Sequence, residues 1–270
     1  MPSPSHDREL DALLDAALSA ARAGGAIVRD AFGDAHGVRE KGPGDWVSQA
    51  DTASERAVRA VLEVAAPDIP VHGEEEGGER AARGWLVDPL DGTANFLHRF
   101  PIVGVSVGLI DDGEPTVGVV HAPLLGDTYT ARRGGGAFCN GRPMQVSDRP
   151  PSQAILATGT PFRAKRTRLS EYLAVFEQSL LTFEDLRRAG AASLDLAWTA
   201  TGSFDGYFEA ALGPWDVAAG ALLVREAGGR VTDWVGDPDR WLTSGDIVAA
   251  PPAVHEQILD VIAAATKPRR

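Results

Sequence analysis

Trp85-Leu86-Val87-Asp88-Pro89-Leu90-Asp91-Gly92-Thr93 is the stretch on which the reading of this chain turns. Its apolar triplet reads as a short buried strand that Pro89 ends, since proline has no N–H for a ladder and restricts the residue before it. Asp88 then sits at a strand end and Asp91 at the next bend. Gly92-Thr93 can open a helical turn whose free N–H groups carry partial positive charge and suit a phosphate. Two more carboxylates, Glu74 and Glu75, lie shortly upstream. Hard cations such as Mg²⁺ take oxygen ligands, so the grouping points to a magnesium site and to phosphate-ester hydrolysis. Taken alone, an Asp-Pro-x-Asp-Gly segment is equally a surface turn, because Asp, Pro and Gly are the ordinary turn formers.

Outward from this stretch the pattern divides in two. Leu10, Leu13, Leu14, Ala17, Leu18 and Ala21, with Ile27, Val28 and Phe32, predict one long amphipathic helix broken or loosened near Gly24-Gly25. Residues 34 to 47 read as loop or hairpin, and Ser48 or Asp51 can cap a second helix running to Pro67. From Ile69 to Thr130 short β-type runs follow closely, with Asp111-Asp112-Gly113 as a hairpin turn, which implies an antiparallel or mixed sheet. The boundary between halves 1–150 and 151–270 falls at Pro150-Pro151. Beyond it strands near 155, 185, 204 to 208, 231 and 247 alternate with helices over 166 to 180, 193 to 201, 216 to 227 and 252 to 265. Asp216 would stand at the start of the third of these helices, where an Asp is ordinarily an N-cap.

With 270 residues the chain can bury a large core, as one sizeable domain or two intimately packed halves. Its formal net charge of −12 argues against general attraction to nucleic acid or anionic membrane. An acidic site that handles an anionic phosphate would need bound metal to offset its own carboxylates. The single cysteine, Cys139, excludes an intrachain disulfide and suits a reducing compartment. The start shows no basic and apolar leader pattern, and no apolar run reaches membrane-spanning length, so a cytoplasmic protein is expected. The histidines show no zinc spacing.

Gly73-Glu74-Glu75, the Asp88 to Thr93 segment, Asn95-Phe96-Leu97-His98-Arg99-Phe100-Pro101 and Trp215-Asp216-Val217-Ala218-Ala219-Gly220 together resemble the inositol monophosphatase family. Lys41, Val47-Ser48-Gln49-Ala50-Asp51, Gly136-Ala137-Phe138-Cys139-Asn140-Gly141 and Glu226-Ala227-Gly228-Gly229 extend the likeness over nearly the whole chain. These are Mg²⁺-dependent, lithium-sensitive phosphatases, and the chain is similar to their bacterial members. The resemblance implies an α/β layered fold, an αβαβα sandwich of the inositol monophosphatase and fructose-1,6-bisphosphatase type, and a homodimer.

Residue by residue, it implies that Glu74 is the bridging glutamate, Asp88 and Asp91 the paired metal aspartates, Leu90 a carbonyl ligand and Asp216 the distant aspartate. One Mg²⁺ would take Glu74, Asp88 and the Leu90 carbonyl, a second Asp88, Asp91 and Asp216, and a loosely held third would lean on Glu74. Gly92 and Thr93 match the phosphate cradle, and Thr93 with Asp51 the pair that orients and deprotonates the attacking water. Glu209, Arg187 and the Gly190-Ala191-Ala192 loop match substrate contacts. Two departures stand out: Ala191, where many relatives carry a hydroxyl residue, and Gly213-Pro214, which follows the bacterial pattern.

A small phosphorylated substrate is implied, with inositol 1-phosphate first and histidinol phosphate, fructose 1,6-bisphosphate or a 3′-phosphoadenosine phosphate as alternatives. A binding or regulatory module that kept the fold without needing catalysis is the reading from another class.

Overall fold

Helix α1 (Pro4–Ala31) begins the chain and is followed by the hairpin β1 (Arg39–Gly42) and β2 (Asp45–Val47) and by α2 (Gln49–Ala65). The computed structural model describes residues 4–42, 45–161 and 164–266. The expected loop or hairpin over 34 to 47 thus falls partly on residues 43 and 44, and the leader reading partly on residues 1–3, outside the described residues. The expected break at Gly24-Gly25 does not occur: α1 runs through both glycines. Their lack of a side chain serves packing instead. A Cβ on Gly24 would lie 2.7 Å from Ser54 Oγ and 2.8 Å from Val58 of α2, and one on Gly25 would lie 2.4 Å from His121.

The first sheet comprises β3 (Val71–Gly73), β4 (Arg83–Asp91), β5 (Gly104–Asp111), β6 (Glu114–Ala122), β7 (Asp127–Arg132), β8 (Gly136–Cys139) and β9 (Arg142–Pro143), with the short helix α3 (Thr93–Leu97) after β4. These strands pair in chain order, β3 parallel to β4 and every other neighbour antiparallel, which is the mixed sheet the spacing predicts. Asp112 and Gly113 both take positive φ, 50° and 84°, as a two-residue hairpin turn with the twist of its strands requires. Pro89 does not end its strand. Instead the β4–β5 register slips between Asp88, opposite Ser106, and Asp91, opposite Gly104, so that Pro89 and Leu90 together face one residue in a bulge. A bulge tolerates proline because its extra residue needs no ladder partner.

After a turn of 3₁₀ helix come β10 (Ile155–Thr158), α4 (Lys165–Thr182), β11 (Asp185–Arg187), α5 (Ala192–Ala200), β12 (Gly206–Glu209), α6 (Pro214–Glu226), β13 (Arg230–Thr232), α7 (Trp241–Ser244), β14 (Ile247–Ala250) and α8 (Pro252–Ala265). Five strands form the second sheet in the order β11-β10-β12-β14-β13, with β10 parallel to both its neighbours and β14 antiparallel to both of its own.

Helices α1 and α2 cover the outer face of the first sheet, α5 and α6 lie between the sheets, and α4 and α8 cover the second, giving an αβαβα sandwich. The central helices show why. Every residue from Asp216 to Val224 in α6 is buried, an all-round burial that only a helix flanked by two layers can have. Val120, Tyr129 and Ala137 share one apolar cluster with Leu196, Leu222 and Ala249, so residues on both sides of Pro150-Pro151 build a common core.

Candidate active site

Because β4 bulges, its two aspartates emerge at the same end of the sheet. Asp88 Oδ1 accepts the Leu90 N–H at 3.0 Å, which holds the bulge, and Asp88 is 1% exposed. Asp91 Oδ2 accepts the Ser193 N–H at 2.7 Å and its hydroxyl at 2.5 Å, both from the first turn of α5. Glu74 follows β3 directly, its N–H bonded to the Val87 carbonyl at 3.1 Å. Asp216 lies in the first turn of α6 and accepts the Gly213 N–H at 2.7 Å. One carboxylate oxygen each from Glu74, Asp88 and Asp216 lie within 4.8 Å of one another.

This crowding is electrostatically costly. Burial, then repulsion from Glu74, Asp91 and Asp216, pushes the Asp88 carboxyl well above the usual range. Burial and Asp216 push Asp91 up to about 7, against the lowering effect of the Ser193 bonds. Converging buried carboxylates must take up protons or cations. An all-oxygen donor set with a backbone carbonyl beside it fits a hard divalent ion such as Mg²⁺. Glu74 is 3.0 Å and Glu75 2.8 Å from the Lys41 ammonium, which burial lowers but the two glutamates more than compensate, so that it is held above its ordinary value. Glu55, which the sequence did not single out, shapes this loop: fully buried, it accepts the N–H groups of Glu75 and Glu76 at 2.8 and 3.1 Å.

Asp51 and Thr93 meet from different elements. Ser48 caps α2 and Asp51 closes the capping box, its Oδ2 accepting the Ser48 N–H at 2.8 Å and hydroxyl at 2.6 Å. Its other oxygen accepts the Thr93 hydroxyl at 2.9 Å. Burial raises the Asp51 pKa, partly offset by these bonds. Gly92, just before Thr93, has φ 90°, and a Cβ there would lie 2.9 Å from the Ile102 carbonyl, so the tight turn that presents Thr93 admits no side chain. Asn95, another residue sequence reasoning left without a role, donates to the Ile102 and Ala189 carbonyls at 2.8 and 2.9 Å and ties α3 to the loop of the second half.

The cleft above these groups is lined by Glu74, Asp88, Leu90, Asp91, Gly92, Thr93 and Asp216, and by Gly159, Arg188, Gly190, Ala192 and Glu209 from the second half, with Trp46, Ala94 and Leu212 at its walls. Glu209 on β12 is 5% exposed, and burial pushes its carboxyl up to about 8 despite the Tyr207 hydroxyl that donates to it at 2.6 Å. Gly159 makes room for it, since a Cβ there would lie 1.9 Å from the Glu209 carboxylate. Ala191 is buried behind Gly92 and lines no part of the cleft.

Arg187 requires a correction. Its guanidinium is exposed and paired with Asp185 on the same strand, and Arg188 lines the cleft instead. Residues two apart on a strand share a side and adjacent ones oppose, so Asp185 claims Arg187 and the next arginine turns inward.

The model of the inositol monophosphatase family matches residues 9–267. A protein of Neisseria meningitidis serogroup B called putative Nus factor SuhB is 43% identical over 261 residues, 94% of this chain and 99% of its own. The inositol-1-monophosphatase of Rhizobium meliloti is 42% identical over 258 residues, covering 93% of this chain and 96% of that protein. The crystal structure of extragenic suppressor protein suhB from Bartonella henselae superposes with a TM-score of 0.89 at 35% identity, over 96% of this chain and 100% of that one. With a matching fold and a matching sequence over almost its full length, the chain belongs to the inositol monophosphatase family.

Proposed function

We propose that this protein is a Mg²⁺-dependent phosphomonoesterase that converts inositol 1-phosphate to inositol and phosphate by attack of water. The observation that carries the reading is the convergence of Glu74, Asp88, Asp91 and Asp216 on one cleft, with the Asp51–Thr93 hydrogen bond at its edge. Two or three ions held by Glu74, Asp88, Asp91, Asp216 and the Leu90 carbonyl would supply positive charge to the phosphate and the leaving oxygen and lower the pKa of water.

The chain's own groups do the rest. Thr93, donating to Asp51, has a free lone pair with which to accept a hydrogen bond from the attacking water, so the water's proton passes through the hydroxyl to the Asp51 carboxylate. The Gly92 and Thr93 amides face the phosphoryl oxygens and stabilise their charge without reorganisation. Glu209 and Arg188, with Gly190 and Ala192, meet the hydroxyl-bearing body of the substrate. Residues 1–150 bring most of the acidic groups and 151–270 the substrate wall and Asp216, and the two halves work as one catalytic unit.

Histidinol phosphate, fructose 1,6-bisphosphate and 3′-phosphoadenosine phosphates fit the same hydrolytic groups, because those groups fix the reaction and the pocket walls fix the substrate. The name of the Neisseria relative supports a second reading, a regulatory protein that binds transcription components. The complete acidic set favours catalysis, and the two roles are compatible. A cytoplasmic homodimer inhibited by Li⁺ is part of the proposal. Among the described residues no helix is long and apolar enough to cross a membrane. Phosphate release from the four esters, with and without Mg²⁺, tests the reading, and release from none of them overturns it.

A further inference from the structure

Most of what lines the cleft is acidic, small or both. Glu74, Asp88, Asp91, Glu209 and Asp216 are acidic, Gly92, Gly159 and Gly190 have no side chain, and Ala94 and Ala192 have only a methyl group. Against this background Trp46 is out of place. Neither ion binding nor water activation has a use for an indole, yet Trp46 faces the cleft with 36% of its surface exposed. Ligand clefts commonly pair a few polar groups with an aromatic wall, and Trp46 is the one aromatic residue among the described residues that line this cleft.

The local fold aims it. In β2 the neighbouring Val47 is buried to 1% exposure and Ser48 caps α2, so strand alternation turns Trp46 the other way. Trp46 pairs with Glu40 of β1, whose next residue, Lys41, grips Glu74 and Glu75. β2 also lies beside α3, the helix that Thr93 opens. The backbone that carries the indole is therefore fixed relative to both the acidic group and the phosphate turn, and tryptophan has only two side-chain torsions to immobilise.

To the same cleft the second half contributes the opposite chemistry: the Glu209 carboxyl group, bonded to Tyr207, and the Arg188 guanidinium. A cyclic polyol has this same division. Its hydroxyls radiate from the ring edge, while each ring face is largely C–H, which packs on the electron-rich face of an aromatic ring. We propose that Trp46 is the platform on which the carbon face of a cyclic polyol phosphate rests, and that it selects ring esters over open-chain ones. This rests on the phosphatase reading and deepens it, because it assigns the choice of ring substrates to a hairpin residue in the first half.

The test compares Trp46→Ala, Trp46→Phe and the unaltered protein on inositol 1-phosphate and glycerol 2-phosphate in Mg²⁺. The ratio of kcat/KM for the cyclic ester to that for the acyclic one should fall about tenfold in Trp46→Ala, mainly through KM, and stay within about threefold in Trp46→Phe, which keeps an aromatic face. Equal losses on both esters, or none on either, would overturn the platform role. Calorimetric titration of myo-inositol and of glycerol, each in the presence of inorganic phosphate, reads the same preference without turnover. If the unaltered protein releases phosphate from no ester, the phosphatase reading fails. The platform then stands if Trp46→Ala weakens myo-inositol binding selectively, and falls if it does not.

Discussion

The Thr93 hydroxyl donates to Asp51 Oδ1 at 2.9 Å, across 42 residues of chain. One partner closes the capping box of α2, and the other stands on a left-handed glycine turn at the end of a bulged strand. Neither position is reached by the other's local structure, so the pair exists only in the folded protein. Asp51 spends its second oxygen on Ser48, and the Thr93 hydroxyl, 3.1 Å from the Leu90 carbonyl oxygen as well, belongs to a residue that lines the cleft.

Thr93→Val keeps the shape of the side chain and removes the relay. We expect kcat to fall on the order of 10²-fold or more, the range for one proton-transfer group, with KM changed only a few-fold. Thr93→Ser should recover most of the rate. Steady-state kinetics of both variants decides this, and a Thr93→Val enzyme within threefold of normal kcat would remove Thr93 from the mechanism.

The two adjacent arginines should separate cleanly. Losing the charge-assisted bond that Arg188 can give a substrate oxygen should raise KM about tenfold in Arg188→Ala. Arg187→Ala, which removes an exposed ion pair with Asp185 and a bond to the neighbouring Leu186 carbonyl, should leave KM within about twofold. The reverse ranking would restore Arg187 to the cleft.

Burial holds the Glu209 carboxyl at about 8 in the folded protein, against 4.5 as its ordinary value. A raised folded pKa means that its contribution to stability is fully present below about 4.5 and is lost as pH rises to about 8, because the unfolded chain ionises first. Glu209→Gln does not titrate. In chelator, its melting temperature should therefore climb relative to that of the unaltered protein between about pH 5 and about pH 8. A difference that stays flat or falls over this window would contradict the assigned shift.

Gly24→Ala sets two effects against each other. Alanine gains about 1 kcal/mol of helix propensity over glycine, but its Cβ would lie 2.7 Å from Ser54 Oγ and 2.8 Å from Val58. Overpacking of a tight contact costs about 1–3 kcal/mol, so we expect net destabilisation in urea unfolding. A gain in stability would show that α1 and α2 can move apart without loss.

The same two glycines show what sequence periodicity can and cannot see. Read locally, Gly24-Gly25 marks a loosened helix, whereas their role is set by Ser54, Val58 and His121, which are distant in the chain. Pro89 misled in the same way: its missing N–H ends an ordinary strand, but the β5 register leaves it in a bulge where no N–H is called for. The alternation of short strands and helices after residue 150, by contrast, was legible almost element by element, because apolar period and turn residues are local signals. At the site, the acids were found through the motifs that hold them. Ser193, Asn95 and Glu55 were not, since each acts by a bond to a partner far along the chain. Trp46 gave no signal at all, for a tryptophan in a short hairpin looks like any other half-buried aromatic residue until the cleft is assembled around it.

The central claim is that the acidic cluster, loaded with Mg²⁺, hydrolyses a phosphate monoester. Phosphate release from inositol 1-phosphate by the unaltered protein and by Asp91→Asn, each in saturating Mg²⁺ and in chelator, tests it most directly. Asn keeps an oxygen to accept the Ser193 N–H, so the fold should survive with a melting temperature within a few degrees. We predict release that requires Mg²⁺ and falls on the order of 10³-fold in the variant, as loss of a charged ligand at the reacting centre implies. Release indifferent to chelator, or near-normal turnover by Asp91→Asn at saturating Mg²⁺, would contradict the account.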